Sequence, residues 1–155
     1  MKEILGRKDL ALVLTLAWMG VIFYLSHQPA SQSSELSGSF VDILLSFINF
    51  MPVNIDEAVV HFFIRKSAHF IAYFILGMLV LHSMKLFFNL RYSVVLLAFS
   101  ITLIYAISDE FHQTFIPGRS GELRDLLVDS AGSFTGIMTY LLCFILYNKL
   151  GGLSR

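Results

Sequence analysis

The sequence is poor in charge and in cysteine. Only 14% of its 155 residues are charged, whereas an average soluble domain carries about 25%. The single cysteine, Cys143, excludes an intrachain disulfide and gives no indication of a zinc cluster or a thiol catalyst. The formal net charge is zero, which argues against a nucleic-acid partner, since such a partner requires a basic stripe.

Apolar side chains are what the sequence has in excess. They make up 56% of the residues and include 15 phenylalanines. A globular core formed by a chain of this length could not hide so much apolar surface, so lipid must be the solvent for much of it. The composition therefore predicts a small all-α, multi-pass membrane protein with no room for a separate soluble domain.

Four apolar segments predict four transmembrane helices, at about residues 10–26, 66–84, 92–108 and 126–147. Each is close to the ~20 residues that cross ~30 Å of hydrocarbon. Three basic residues precede the first segment, as in a signal peptide, but no small-x-small cleavage site follows it, so a retained span is expected. Residues 1–155 are predicted to form a single transmembrane domain.

The distribution of lysine and arginine predicts the orientation. The amino terminus, the connection between the second and third spans, and the carboxyl tail together hold seven of these residues, and the other two connections hold four. The protein is expected in the plasma membrane. Because cytoplasmic loops carry the excess of basic residues, both termini are expected on the cytoplasmic side. Both long polar connections then face outward.

The first outward connection is expected to contain helical structure. Residues 35–50 place apolar side chains on one face and polar ones on the other, which predicts an amphipathic helix packed as a lid over the bundle. The following segment Asn54–Glu57 resembles a capping box, so a helix is expected to begin there and to continue into the second span.

Ionisable residues align on single faces of the predicted helices. On the second helix, Lys66, His69 and Tyr73 are spaced i, i+3, i+7, and on the fourth, Asp125 and Asp129 are spaced i, i+4. The end of the third span and the turn that follows supply further polar side chains: Asp109, Glu110, His112, Gln113, Arg119 and Arg124. Three stretches thus bring polar groups to one side of the membrane.

Charged residues inside a membrane normally face the protein interior and pair, because each costs ~2.5–3.5 kcal/mol at mid-membrane on insertion scales. We therefore expect a shared polar cavity that opens outward. Single residues also have simpler explanations. Lys66 and Arg124 would snorkel at the membrane boundary, Asp125 would pair with Arg124 or Arg119, and Gly132 and Gly136 would serve close helix packing.

The residue types of this cavity suit phosphate chemistry. The carboxylates favour Ca²⁺ or Mg²⁺, and the two histidines would extend the choice to Mn²⁺ or Zn²⁺, although no HExxH-type spacing is present. Lysine and arginine hold phosphate, and a histidine oriented by a carboxylate is a general base or nucleophile near neutral pH. Because these residues lie at the depth of the lipid head groups, they indicate a phospholipid or a polyprenyl-phosphate substrate.

The sequence resembles the VanZ family in four stretches, in order: Ser26–Pro29, Arg65–Tyr73, Asp109–Arg119 and Asp125–Gly132. His27 stands where a small residue such as serine is expected. The resemblance implies a bacterial integral membrane protein, from a family named for a member associated with low-level resistance to the glycopeptide teicoplanin. A proposed distant relationship to lipid head-group enzymes would imply transfer or hydrolysis at a lipid phosphate.

These observations assign candidate roles. His69 or His112 is the predicted base or nucleophile, oriented by Asp109 or Glu110. Substrate binding is assigned to Lys66, Tyr73, Gln113, Arg119 and Arg124, and a divalent cation (Ca²⁺, Mg²⁺ or Mn²⁺) to Asp125 and Asp129 with Asp109 or Glu110. The predicted partner is a membrane lipid or lipid-linked precursor; the sequence leaves the oligomeric state open. Two alternatives are a non-catalytic binder or sensor of a lipid or glycopeptide, and an ion-coupled transporter.

Overall fold

The computed structural model describes residues 6–32, 38 and 56–151. Within these ranges the chain forms four long α-helices: α1 (Arg7–Ser26), α2 (Glu57–Phe87), α3 (Tyr92–Gln113) and α4 (Leu123–Gly151). All four are long and apolar enough to cross a membrane. The predicted all-α membrane fold is therefore confirmed.

The helices extend beyond the predicted apolar segments. α2 has 31 residues and begins at an N-cap, Asp56, whose side chain accepts a hydrogen bond from the backbone N–H of Ala58 at 3.0 Å. α3 continues through the polar sequence to Gln113, and α4 already begins at Leu123. Hydropathy alone underestimates the lengths of these helices, because their ends carry polar side chains that bind one another. The amphipathic helix predicted over residues 35–50 lies outside the described residues, except for residue 38.

Side-chain contacts fix the directions of the helices. Ser26, at the end of α1, contacts Asp109 near the end of α3, while Lys66 of α2 contacts Asp125 near the start of α4. α1 and α3 therefore end at the same side of the bundle, where α4 begins and the early part of α2 lies. We call this side, which carries the ionisable residues singled out above, the polar end.

Glycines bring α2 and α4 into close contact. A Cβ atom added at Gly132 or Gly136 would collide with the backbone carbonyl of Phe70 or Phe74, and one at Gly77 would meet the carbonyl of Ser133. The two backbones therefore approach more closely than larger residues would allow, as in other small-residue helix contacts. The packing role expected for Gly132 and Gly136 is confirmed.

Buried hydrogen bonds attach α1 to the rest of the bundle. The Trp18 indole N–H donates to the carbonyl of Ala72 at 2.9 Å, and the Tyr105 hydroxyl donates to the carbonyl of Met19 at 2.6 Å. The Thr15 and Ser83 hydroxyls are 2.9 Å apart and both side chains are buried. Because lipid offers no partner for such groups, these bonds fix the position of α1.

Gly136→Ala is expected to destabilise the protein, because the new methyl group would push α4 away from the backbone of α2 at Phe74. Overpacking of this kind costs about 1–3 kcal/mol. The matched control is Gly20→Ala in α1, where nothing lies within 4 Å of the added Cβ. Thermal unfolding in detergent should show a lower midpoint for Gly136→Ala only; equal midpoints for the two variants would contradict the close packing.

Candidate functional site

A buried ion pair joins α2 to α4 at the polar end. Lys66 is 8% exposed and Asp125 1% exposed, and the lysine Nζ contacts the aspartate Oδ1 directly. Lys66 also lies 3.3 Å from Glu122, just before α4. Arg65 reaches the same two acids at 3.5 and 3.6 Å from a side chain that is 48% exposed. Asp125 thus pairs with residues of α2, and shows no ion pair with Arg124 or Arg119.

A second pair lies deeper on the same faces of α2 and α4. His69 Nδ1 is 3.2 Å from Asp129 Oδ1, with side-chain exposures of 13% and 0%. Asp129 lies one turn, about 6 Å, further along α4 than Asp125. Because an ionised carboxylate only accepts hydrogen bonds, the His69 proton that faces Asp129 is on Nδ1, and Nε2 remains available to another group.

The last turn of α3 supplies two more buried acids. Asp109 Oδ2 accepts hydrogen bonds from the Ser26 hydroxyl at 2.8 Å and from the Gln113 amide at 3.3 Å. Glu110 Oε2 accepts from the backbone N–H of Glu122 at 2.8 Å. Gln113 also donates to Glu110 Oε1 at 3.4 Å. Asp109 therefore holds the end of α1, and Glu110 holds the segment that enters α4.

Arg119 folds back from the turn between α3 and α4 onto the end of α1. Gly118 has φ +75°, a left-handed conformation suited to glycine, and completes this turn. The Arg119 guanidinium donates to the carbonyls of Gln28 and Leu25 at 2.8 and 3.1 Å, and to the Gln113 side chain at 3.4 Å. Burial, and to a smaller extent the charge of Arg65, lowers the pKa of Arg119, which still carries its charge at neutral pH.

The centre of this arrangement is a group of three potential metal ligands. One ligand atom each from His69, Glu110 and Asp129 lies within 4.8 Å of the others. Three buried oxygen atoms around it have no hydrogen-bond partner among the described residues: Asp129 Oδ2, Asp109 Oδ1 and the Tyr73 hydroxyl. We call the polar residues joined here the acidic cluster: Arg65, Lys66, His69, Asp109, Glu110, Gln113, Arg119, Glu122, Asp125 and Asp129.

The charges of the acidic cluster do not balance. Its five carboxylates face three permanent cations, which leaves an excess of two negative charges when all are ionised with His69 neutral. A buried excess of this kind is costly unless a proton or a cation compensates it. Together with the partnerless oxygens, the excess makes the centre suitable for a cation or for groups that donate hydrogen bonds.

The predicted site residues divide into two sets. The structure brings together most of them in the acidic cluster, and Tyr73, 1% exposed, lies at its buried side. His112 instead contacts His27, with ring nitrogens 3.1 Å apart, and Arg124 is exposed without an ion pair to any described residue. The catalytic, substrate-binding and metal-binding roles predicted for all of these residues stay predictions.

Sequence reasoning left four contributing residues without a role: Ser26, His27, Arg65 and Glu122. Ser26, His27 and Arg65 fall within the stretches that resemble the VanZ family, which was the available signal. Glu122 had only the weak signal of an acid just before a helix. His27, Arg65 and Glu122 lie outside the predicted apolar segments, and Ser26 is uncharged, so the cost of burying charge in a membrane could not identify them.

The fold and this site together define the class of the protein: a four-helix membrane protein with an acidic, histidine-containing cluster buried at one end of its bundle. The sequence model of the VanZ/LLP1 family matches residues 11–146. The chain therefore belongs to the VanZ/LLP1 family, which confirms the resemblance seen in its motifs. No curated protein and no solved structure matches the chain.

Lys66→Met is expected to destabilise the protein strongly, because it removes the buried partner of Asp125. Breaking a buried pair from one side costs about 3–5 kcal/mol. Arg124→Met, at an exposed position next to Asp125, is the matched control and should leave unfolding unchanged. Replacing both partners, Lys66→Met with Asp125→Leu, should restore part of the lost stability. Equal unfolding midpoints for Lys66→Met and Arg124→Met would show that the pair contributes nothing.

Proposed function

We propose that this VanZ-family protein acts on the phosphate head group of a membrane phospholipid or of a polyprenyl-linked cell-wall precursor, with the acidic cluster as its site. The observation that carries the proposal is the His69–Asp129 pair, buried between α2 and α4 and flanked by the cations Lys66 and Arg65. A histidine held by a carboxylate beside cations is the combination that phosphate ester chemistry requires.

The depth of the cluster supports a lipid substrate. Glu110 lies three residues before the end of α3, and Asp129 lies six residues after the start of α4. At 1.5 Å per residue these positions are about 5 and 9 Å inside the helix ends. Since the polar layer on each side of a bilayer is roughly 5–8 Å thick, the cluster lies near the boundary between head groups and hydrocarbon.

A lateral depression in the bundle supports the same substrate class. It has a volume of about 320 Å³ and is lined by Phe63, Lys66, Ser67, Phe70 and Ile71. Phe63 and Ile71 are exposed, so the depression opens to the side of α2. Its apolar walls suit an acyl or prenyl chain, and Lys66 connects it to the acidic cluster. A lipid could thus enter from the membrane with its head group next to His69.

In the proposed reaction His69 is the general base. With its Nδ1–H donated to Asp129, its Nε2 accepts a proton from the water or hydroxyl oxygen that attacks phosphorus. The new P–O bond forms as the bond to the leaving oxygen breaks. Asp129 stabilises the imidazolium that results, and the imidazolium then gives its proton to the leaving oxygen. Arg65 is the cation best placed to contact the phosphate, because its side chain is half exposed while Lys66 is enclosed by two acids.

A divalent cation fits the same centre. An imidazole with two carboxylates suits Mn²⁺, Mg²⁺ or Zn²⁺, and ligands around an ion at about 2.1 Å lie up to about 4.2 Å apart, close to the spacing of His69, Glu110 and Asp129. The ion would neutralise the excess negative charge and polarise the phosphate. In this arrangement His69 is a ligand of the cation, and another group must accept the proton of the attacking water or hydroxyl.

The second candidate function is a non-catalytic binder or sensor of a lipid or glycopeptide, which would link the protein to teicoplanin tolerance without turnover. One observation favours it: Lys66 and Arg119 are fully engaged with groups of the protein itself and have little freedom to bind a phosphate. This function predicts saturable binding of a lipid with no product.

The test of the proposed function is lipid turnover. Protein purified into nanodiscs is incubated with a cell-envelope lipid extract and Ca²⁺, Mg²⁺ or Mn²⁺, and products are identified by mass spectrometry. His69→Asn and Asp129→Asn should each reduce the rate about 10²–10⁴-fold, the usual contribution of a general base. His82→Asn, on the same helix but bonded to Tyr140 at the opposite end, should not.

Loss of turnover on chelation with EDTA, with recovery on adding one metal, would show that the reaction needs a divalent cation; turnover that EDTA does not change would support His69 as the base. An extract that stays unchanged under all conditions would contradict the enzymatic function. Saturable binding of one lipid class in that case would establish the binder instead.

The proposed orientation places the polar end outside the cytoplasm and is tested with introduced cysteines. In a Cys143→Ser background, Ser120→Cys lies in the exposed turn at the polar end, and Asn89→Cys lies in the exposed connection at the other end. A membrane-impermeant maleimide should label only the first in intact cells, and both after lysis. Labelling of Asn89→Cys alone in intact cells would reverse the orientation.

A further inference from the structure

Two histidines at the polar end lie apart from the acidic cluster. His27 is the C-cap of α1, and His112 is in the last turn of α3. Nδ1 of His27 and Nε2 of His112 are 3.1 Å apart, His27 is exposed and His112 is partly exposed. We propose that these two nitrogens form a binding site for a divalent transition-metal ion of the Zn²⁺ or Cu²⁺ type, which bridges the ends of α1 and α3.

The two rings are held in position by aromatic stacking. The Phe23 ring centroid lies 4.7 Å from that of His112 and 5.9 Å from that of His27. The two imidazole rings meet end to end through Nδ1 of His27 and Nε2 of His112, with ring centroids 5.4 Å apart and planes 20° apart. This packing limits the conformations of the two side chains in the free protein. Metal binding therefore costs less side-chain entropy than it would for two freely rotating histidines.

The backbones that carry the two histidines are also fixed relative to each other. Arg119 binds the carbonyls of Leu25 and Gln28, on either side of His27, and the side chain of Gln113, next to His112. Ser26 donates to Asp109 at 2.8 Å, which joins the same two helix ends from the buried side. The separation of the two ring nitrogens is therefore set by a framework that does not depend on their own contact.

The electrostatics at this position favour a cation. α1 ends at Ser26 and α3 ends at Gln113, and both carboxyl ends lie at the same side of the bundle. The last carbonyls of a helix carry about half an elementary negative charge, which the Arg119 guanidinium offsets in part at the end of α1. Two such ends meet at the histidine pair, and imidazole nitrogen prefers Zn²⁺, Cu²⁺ and Ni²⁺ over the hard cations that suit the acidic cluster.

Metal binding requires a proton shift and a rotation of the two rings. In the observed contact one ring donates its N–H and the other accepts, so the donor ring must move its proton to its second nitrogen before both nitrogens can bind a metal through their lone pairs. When both rings are neutral, no proton is gained or lost. Two nitrogens at about 2.0–2.1 Å from a tetrahedral ion lie roughly 3.3–3.4 Å apart, a few tenths of an ångström more than observed. Each ring must also turn by roughly 35°, because the two nitrogens now point at each other and must instead point at the ion. Water completes the coordination.

The experiment is a Cu²⁺ titration of the full-length protein in nanodiscs, purified with a histidine-free tag. All samples carry His69→Asn, so that metal at the acidic cluster is not counted and the result is independent of the proposed function. Pulsed electron paramagnetic resonance counts the imidazoles bound to the copper. We expect one Cu²⁺ with two imidazoles, and one imidazole after either His27→Ser or His112→Asn, with affinity at least tenfold weaker.

His82→Asn is the matched control, because His82 is also exposed and also hydrogen-bonded through Nδ1, but at the opposite end of the bundle. It should change neither the imidazole count nor the affinity. Copper that binds through fewer than two imidazoles, or equally well without His27 and His112, would overturn the proposal. The pair would then serve as a hydrogen bond between helix ends and no more. Zn²⁺ should displace the Cu²⁺ signal in competition if the site accepts both ions.

Discussion

The bilayer offers no hydrogen bonds, and the structure of the polar end depends on this constraint. A buried carboxylate or ammonium group in hydrocarbon must find its partner within the protein. Lys66 and Asp125 satisfy each other between α2 and α4, and Arg65 and Glu122 complete the pair at its rim. The starts of these helices must lie side by side for the pair to form, so this interaction fixes the end of the bundle at which further polar groups can be buried.

Close packing and ion pairing support each other along the same interface. The glycines at 132 and 136 allow the backbones of α4 and α2 to approach, and this approach brings His69 and Asp129 within hydrogen-bonding distance one turn below the Lys66–Asp125 pair. A larger residue at either glycine would widen the interface and separate both pairs. The small-residue stripe thus has a structural role in positioning the chemistry, although it carries no reactive group itself.

The sequence predicted which faces carry the polar groups but not which groups pair. Helical periodicity places Asp125 and Asp129 on one face of α4, and the cost of burying charge in a membrane predicts that this face meets another polar one. Periodicity does not give the rotation of one helix against another or their relative height. The pairing of Asp125 with Lys66, in place of Arg124 or Arg119, follows from those two quantities and required the structure.

The last turn of α3 shows how one short polar sequence serves two regions of the protein. Asp109, Glu110 and Gln113 are spaced i, i+1, i+4 and all three are buried, whereas His112 is partly exposed and contacts His27. At 3.6 residues per turn, these three residues span about 100° of the helix, so Phe111 lies opposite them and His112 lies at the edge of their face. The same turn therefore places its acids in the interior of the bundle and its histidine at the partly exposed edge of the polar end. A substitution here that appears to affect one region will alter the helix that positions the other, so effects at His112 and at Glu110 can be separated only by measurements specific to each.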